Sequence, residues 1–550
     1  MTLIAFEFYL QRTLKGDINN HILSGEMFGV PEALQQKGVK TLYSGPGQTG
    51  WDGQFYYYIA NDLLGLEDTP EHIDAPSYRY QRVGLSLYTA ILATLTGQDW
   101  VSPRTFFTSY FLLVLAATWC GALLFSRLSV DPALILLWSL STGVYLTLFN
   151  ALPDAAADAF LILGLSALFA GQFALAAMLL IFSALSREIY VLFPLLIGAV
   201  YFVDQVLAAR KEARRWTETA ISLLRWQSYY WLALPVVTLV AWQIYVTNHF
   251  GVAPSSQAHG ILGPPFVAWF NYFSGGLLGT HKRFESVLLL LFLAVMVTAC
   301  VLAWRVLFTR FSETTNLMRG IAAATLVLLG FYACFGPTVA MHYTGYMKAA
   351  AVFGILIPLL MSAAGVTERF ERRVVIFLIV AVLVSGFHNW GKRILRNPVN
   401  FEAYTRMAYI KETKNQSCLG AYDAKVTIHD VSIHNRAGIL PAIFGSGDYI
   451  VIRVGLQNTG QVPLISTKGS GSVHMGYEWF DADGKVTWRS DRSAIVEPLL
   501  PGETSELSVV SLMPKAKGAY TLRLSPVQEG CVWFHAANTA ASTDLKFHIE

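Results

Sequence analysis

Charged side chains are scarce in this sequence. Of its 550 residues only 14% are Asp, Glu, Lys or Arg, whereas 54% are hydrophobic, a composition far from that of a soluble domain. The net charge of +3 is nearly balanced and gives no reason to expect nucleic-acid binding. Five cysteines are too few for a disulfide scaffold. The composition therefore predicts a polytopic α-helical membrane protein with a soluble part attached.

Recognisable metal and nucleotide motifs are also missing. No zinc signature and no Walker loop occurs, so cytoplasmic nucleotide chemistry has no support. His281 and His342 have no neighbours at a spacing that indicates a metal site. We predict no protein-bound metal and no required cofactor, while dependence on a divalent ion stays open.

Long apolar runs fill most of the chain after residue 100. With about 20 residues needed per span, they predict about 10–11 transmembrane helices in a membrane domain at 1–391. This number includes residues 1–10, interpreted as the outer end of a first helix or as a short interfacial helix. The other runs lie at about 106–125, 132–149, 155–182 as two short helices, 189–202, 230–246, 287–307, 321–335, 349–364 and 374–387.

Lysine and arginine predict the orientation of these helices. The loops at 127, 210–225, 305–319 and 369–373 carry most of the basic charge between spans, which places them inside. The remaining loops and the C-terminal part then lie outside, together with the other charges near the membrane. We therefore expect an outward-facing site.

The segment 13–102 is too long and too polar to be a simple connector, and such loops tend to be functional. It contains the run Trp51-Asp52-Gly53-Gln54, followed by three tyrosines that include Tyr57. A carboxylate among aromatics at a membrane rim suits chemistry on a polar group carried by a lipid. The alternative is that Asp52 only caps the helix that follows it.

Further charges are expected on the same side as Asp52. Arg79 and Arg82 could bind phosphate oxygens bidentately, or could only meet lipid headgroups. Arg187 could hold a phosphate that Glu188 orients, or the two could form an ion pair between helices. The remaining candidates are Asp154, which lines a cavity or caps a helix, and the weaker Lys282, His342 and Lys348.

The motif at residues 51–60, with the segment 73–82 after it, resembles the first outside loop of GT-C-type glycosyltransferases. The similarity is to the GPI mannosyltransferase branch and to related bacterial membrane proteins. It implies that Asp52 is catalytic, that the donor is a polyprenyl-phosphate sugar and that the sugar carbon is inverted. Trp51, Gln54, Tyr57 and the charged residues named above would then bind substrate.

The expected reaction is transfer of a sugar to a hydroxyl of a glycan or glycolipid, with Asp52 as general base. Two other classes stay open at this stage. One is a transporter or flippase for a lipid-linked glycan, which internal inverted repeats would favour. The other is a non-catalytic factor that assembles a glycan.

After a charged connector at 392–417 the pattern changes to short strands. Runs at 425–433, 449–456, 473–480 and 519–524, divided by turn residues, predict an antiparallel β-sandwich at 418–550. The segments 477–484, 500–503 and 527–534 resemble an immunoglobulin-like module of bacterial glycan-related proteins. That resemblance implies a bacterial inner-membrane protein whose site and β domain lie in the periplasm. Trp479, Trp488 and Trp533 contact glycan or belong to the core, and Cys418 and Cys531 are free or bonded.

Overall fold

The computed structural model forms two compact units that divide near residue 400, and each is described by itself. The predicted connector lies almost wholly outside the described residues. The structure describes residues 17–42, 49–65, 69–211, 217–218, 227–257, 260–277, 283–340, 343–394, 417–434, 449–466, 471–489, 492–495, 498–514 and 516–549.

The first unit is helical. A short 3-10 turn, Glu188–Val191, leads directly into the helix that begins at Leu192. In chain order the helices are α1 Glu32–Gln36, α2 Gly53–Asp62, α3 Pro76–Tyr80, α4 Gly84–Leu95, α5 Pro103–Arg127, α6 Leu136–Ser139, α7 Thr142–Phe149, α8 Asp154–Phe169, α9 Phe173–Ser186, α10 Leu192–Lys211, α11 Ala233–Phe250, α12 Val267–Leu277, α13 Arg283–Trp304, α14 Asn316–Ala333, α15 Pro337–Ala340, α16 Tyr343–Ala350, α17 Phe353–Ala363 and α18 Glu368–Ile394.

Six stretches of the described chain are helical for long enough, and apolar enough, to cross a membrane. A seventh is counted if the bent pair Pro132–Ser139 and Thr142–Phe149 forms one span. The predicted helical membrane part is therefore confirmed in outline, whereas the predicted partial helix at 1–10 lies outside the described residues. The six are Pro103–Arg127, Glu188–Lys211, Ser228–Phe250, Glu285–Thr309, Asn316–Ala333 and Tyr343–Ala363.

The surface of α5 shows how these helices suit a lipid environment. One face, which includes Phe106 and Tyr110, is completely buried in the helical core. The opposite face exposes a stripe of large apolar side chains at helical spacing: Leu112, Leu115, Trp119 and Leu123. A stripe of this size would be costly in water, and lipid removes that cost.

The polar segment 13–102 is folded and is not a loose loop. Its described part contains α1 to α4 and contributes buried residues to the same hydrophobic core as the long helices. The apolar stretch at 83–96 forms α4, whose 12 residues are too few to cross a bilayer.

In the second unit the described residues form eight strands in two sheets. One sheet has the order β1-β2-β6, and the other has β4-β3-β7-β8 with β5 beside β3, all antiparallel. Buried residues from both sheets share one core, as the predicted sandwich requires. The strands are β1 Ala424–His434, β2 Tyr449–Asn458, β3 Val473–Phe480, β4 Val486–Arg489, β5 Ser493–Ala494, β6 Thr504–Leu512, β7 Gly518–Gln528 and β8 Thr543–Ile549; a short helix, α19 Phe534–Ala537, precedes β8.

The tryptophans of this unit differ in their surroundings. Trp479 is completely buried and donates a hydrogen bond from Nε1 to Ser511 at 2.8 Å, which confirms the core interpretation for it. Trp533 is partly buried and has the Arg492 guanidinium 4.7 Å above its ring. The side chain of Trp488 lies outside those that the structure describes.

Cys418 and Cys531 form a disulfide, with their Cα atoms 5.7 Å apart and a sequence separation of 113. The bond joins a residue shortly before β1 to the turn after β7, so it closes most of the sandwich into one loop. Because a long loop loses much conformational freedom when it is closed, the disulfide stabilises this unit against unfolding.

Replacing both cysteines of this disulfide with serine should lower the free energy of unfolding of the β unit by about 3 to 5 kcal/mol. The measurement is urea-dependent resistance of the second unit to protease in the purified full-length protein. Cys300→Ser, at an exposed free cysteine of the membrane unit, is the control and should leave the midpoint unchanged. An unchanged midpoint in the double variant would show that the disulfide contributes nothing to stability.

Candidate functional site

A cavity of about 600 Å³ opens in the first unit, and its wall carries four cations and three carboxylates. All seven were singled out from sequence, although they come from five separate parts of the chain. They are Asp52, Arg79, Arg82, Asp154, Arg187, Glu188 and Lys348. Charges are costly in an apolar bundle unless they are paired or functional, so the way in which each is held decides what the cavity can do.

Asp52 immediately precedes α2 but does not cap it, since its side chain makes no capping hydrogen bond. Its Oδ2 instead accepts a hydrogen bond from Arg79 at 3.1 Å. The side chain is 56% exposed, and among the described residues Oδ1 has no hydrogen-bond partner. The capping alternative is therefore wrong, and one carboxylate oxygen is available to a ligand.

Arg79, on α3, is fixed by a second carboxylate. Its Nε and Nη2 donate to the two oxygens of Asp74 at 2.9 and 2.7 Å, and its guanidinium lies 5.0 Å from the ring of Phe55. Burial acts to lower the pKa of Arg79, but the hydrogen bonds to Asp74 and the nearby Asp52 hold that pKa well above its ordinary value. Arg79 is thus a permanent cation that orients Asp52.

Arg82 connects the folded loop to a membrane helix. Its Nε and Nη2 donate to the two oxygens of Glu188 at 2.8 and 2.7 Å. A bidentate pair of this kind is among the strongest ionic contacts in proteins. One alternative from the sequence paired Glu188 with Arg187, but in the structure Glu188 pairs with Arg82. Arg79 and Arg82 both line the cavity, although carboxylates already occupy part of each guanidinium.

Arg187 and Asp154 form another ion pair in the wall of the cavity. Asp154 is the first residue of α8, and its Oδ1 is 3.6 Å from Nη1 of Arg187, too long for a hydrogen bond. The guanidinium lies 5.4 Å from the ring of Tyr190 and 5.7 Å from that of Tyr332. Since Nη1 has no hydrogen-bond partner among the described residues, it retains capacity for a further anion.

Lys348, on α16, completes the set of cations. Among the described residues its ammonium forms no ion pair and no hydrogen bond, and its positive charge acts on Asp154 from a longer distance. The rest of the wall is largely apolar and includes Leu239, Val240 and Phe335. The cavity therefore has a charged part beside an aliphatic and aromatic part, which suits an amphiphilic anion.

Three predicted substrate-binding residues of the motif lie elsewhere. Gln54 is completely buried, and its Oε1 accepts a hydrogen bond from the Gly25 amide at 2.9 Å. Tyr57 is completely buried beside Phe106, and Trp51 is not part of the cavity wall. The structure therefore gives Gln54 and Tyr57 a packing role in the loop. The other two predicted residues, Lys282 and His342, lie outside the described residues.

Sequence reasoning missed Tyr56 and Tyr78, which also line the cavity. Tyr78 lies between the two arginines, 5.5 Å from the Arg79 guanidinium and 4.8 Å from that of Arg82. The signal was present, since Tyr78 precedes Arg79 directly and a helical register brings it near Arg82.

The carboxylates of the cavity are held by arginines and do not converge on one point. Among the described residues no group of three His, Cys, Asp or Glu side chains lies in an arrangement that could hold a metal ion. Asp52, Asp154 and Glu188 each face a different arginine.

Gly53 explains how Asp52 reaches this site. A Cβ atom at Gly53 would lie 1.8 Å from the carbonyl oxygen of Asn150 and 2.8 Å from the Cβ of Ala151, distances that are sterically impossible. Only glycine allows the start of α2 to pack directly on the turn that leads to Asp154. The glycine of the motif therefore brings Asp52 and Asp154 to the same cavity.

No protein-family model matches this chain, and neither does any curated protein with which it was compared. The function must therefore be argued from the cavity itself.

Gly53→Ala should destabilise the membrane unit by about 1 to 3 kcal/mol, because the added methyl group meets backbone that cannot move aside. The thermal unfolding midpoint of the purified protein measures this effect. Gly330→Ala is the matched control, since a Cβ at Gly330, on α14, meets nothing within 4 Å. Equal midpoints for the two variants would mean that α2 does not depend on this close approach.

Proposed function

We propose that this protein is a membrane glycosyltransferase of the GT-C type. It transfers a sugar from a polyprenyl-phosphate donor to a hydroxyl of a glycan or glycolipid. The observation that carries the proposal is one cavity that combines an available carboxylate oxygen on Asp52, two cations with spare capacity and an apolar wall. These are the groups needed to deprotonate a hydroxyl, to hold a phosphate and to accept a lipid chain.

In the proposed reaction Asp52 acts as general base. Its Oδ1 takes the proton of the acceptor hydroxyl while that oxygen forms a bond to the anomeric carbon. The bond from the anomeric carbon to the phosphate oxygen breaks, and the leaving group is the polyprenyl phosphate. A single displacement of this kind inverts the anomeric carbon. Arg79 orients Asp52 through Oδ2 and leaves Oδ1 free for the hydroxyl.

Arg187 and Lys348 are the best candidates for the donor phosphate. Among the described residues Nη1 of Arg187 makes no hydrogen bond, although Asp154 lies 3.6 Å away, and the Lys348 ammonium has no carboxylate within ion-pair distance. Cations positioned in advance near a leaving phosphate stabilise the negative charge that builds on it. Arg79 and Arg82, which the sequence favoured over Lys348, take supporting roles because Asp74 and Glu188 hold them.

The location follows from the same reasoning. We place the protein in a bacterial inner membrane with 10–11 spans, and the cavity and β unit on the periplasmic side. The disulfide between Cys418 and Cys531 supports this side for the β unit, because such bonds persist in oxidising compartments. The partners are then the lipid bilayer, a lipid-linked sugar and a surface glycan, with no role for nucleic acid.

Asp52→Asn should lower the rate of sugar transfer by about 10²-fold or more, because amide oxygen is a poor base and general-base catalysis contributes about this much. The measurement is transfer of radiolabelled sugar from a panel of polyprenyl-phosphate sugars to a membrane glycolipid extract, with purified protein.

Asp99→Asn is the control for this experiment, because Asp99 is an exposed carboxylate that also pairs with a cation, Lys37, at 3.2 Å. It should transfer sugar at the wild-type rate. Donor that is never consumed, together with glycolipid binding that is equal in wild type and Asp52→Asn, would reject catalysis in favour of transport or scaffolding.

Lys348→Met should weaken binding of polyprenyl phosphate about 10-fold or more, since a hydrogen bond to a charged group contributes about 1.5 to 3 kcal/mol. The dissociation constant is measured with the protein in lipid nanodiscs. Lys546→Met, at an exposed lysine of β8, removes the same charge from the β unit and should have no effect. If Lys348→Met binds as tightly as wild type, the phosphate is held elsewhere.

A further inference from the structure

A second cavity, of about 680 Å³, adjoins the first, and we call it the vestibule. The two share part of their walls, including Tyr78, Glu188 and Gln243. A ligand in one can therefore extend into the other. The chemistry of the two walls differs, and this difference carries the inference.

The polar side chains of the vestibule are almost all uncharged. They are the amides and hydroxyls of Gln81, Gln243, Thr247, Asn248 and Ser255. Among the residues that the structure describes, Glu188 is the one charged member of this wall, and both its oxygens accept hydrogen bonds from Arg82. The cations of the first cavity, Arg187 and Lys348, are not part of the vestibule wall.

Gln81 is the most informative of these residues. It is only 5% exposed, yet among the described residues its side-chain amide has no hydrogen-bond partner. Its polar atoms are not sealed from the cavity, so a ligand in the vestibule can exchange hydrogen bonds with this amide. Gln243, on α11, likewise has a side-chain amide without a partner in the described part of the chain, and it lines the same space.

We infer that the vestibule binds a neutral glycosyl group through its amides. Amides offer both donors and acceptors, which is what the hydroxyls of a sugar require. An anionic sugar is disfavoured, because its carboxylate would lie near Glu188, and the described part of the wall contains no cation to offset that charge. The inference rests on the proposed function and deepens it by naming the class of sugar as uncharged.

The test uses the full-length protein in nanodiscs with octyl glucoside and octyl glucuronide as probes. Saturation-transfer NMR reports separately on the sugar ring and on the alkyl chain of each probe. The neutral ring should receive saturation in wild type, and Gln81→Met should weaken binding of that ring about 10-fold, which corresponds to one lost hydrogen bond. The alkyl signal serves as an internal reference and should persist.

Gln36→Met is the control, because Gln36 is an exposed glutamine on α1 that is outside both cavity walls. Gln243→Leu provides a second variant on a different helix if Gln81→Met does not fold. Equal ring saturation in wild type and both vestibule variants, or a glucuronide ring that binds as well as the glucoside ring, would overturn the inference.

The neutral sugar could belong to the donor or to the acceptor. If it belongs to the donor, Gln81→Met reduces affinity for a polyprenyl-phosphate hexose but not for bare polyprenyl phosphate. If it belongs to the acceptor, the variant raises the acceptor KM and leaves the affinities for both polyprenyl-phosphate compounds unchanged. Either result supports binding of a neutral sugar in the vestibule. Failure of bare polyprenyl phosphate to bind wild type would count against the proposed function. The octyl glucoside experiment would still decide whether the vestibule binds a neutral sugar.

Discussion

The site depends on the close packing of the folded loop against the membrane helices. Two glycines permit it: Gly53 contacts the turn at Asn150, and a Cβ at Gly84 would lie 2.5 Å from the carbonyl oxygen of Phe182. The contact at Gly53 brings Asp52 close to Asp154, the first residue of α8. The contact at Gly84 brings Arg82 close to Glu188, which follows the end of α9. Without both contacts the loop charges and the helix charges would not share a cavity.

Ion pairs then hold the loop in the position that the two glycines allow. The bidentate contact of Arg82 with Glu188 joins the loop to α10, while Asp74 and Asp52 hold Arg79 from two sides. Each pairing satisfies a charge that would be costly beside apolar helices. The cations therefore have two roles. Arg79 and Arg82, bound to carboxylates, maintain the geometry of the site, whereas Arg187 and Lys348 remain able to bind a ligand.

Sequence patterns predicted the class of the site better than the role of each member. Charge inside an apolar context is easily recognised, so all seven charged residues of the cavity were found. Their pairing was not, because Arg82 and Glu188 are 106 residues apart and only the fold brings them together. Gln54 and Tyr57 were predicted to bind substrate because they belong to the motif, but both are completely buried. Residues of a motif can serve packing as well as chemistry. In the β unit, alternation predicted β1, β2, β3 and β7. Strand β6 was missed because its apolar alternation is interrupted, with Val510 exposed and Ser511 buried. Strand β8 alternates regularly, so its signal was present in the sequence, whereas β4 and β5 are too short to show a pattern.

The balance of charge in the cavity fits the proposed chemistry. Its wall carries four cations and three carboxylates, and Asp74 lies behind Arg79, so the group as a whole is neutral. A sugar phosphodiester enters with one negative charge, and Asp52 carries another. After transfer Asp52 is protonated and the lipid phosphate is a dianion, so the total is unchanged and charge has only moved from the base to the leaving group. In a medium of low dielectric, moving charge towards waiting cations is far less costly than creating it. Arginines held in place near the base, with Arg187 and Lys348 available to the phosphate, therefore suit this movement of charge.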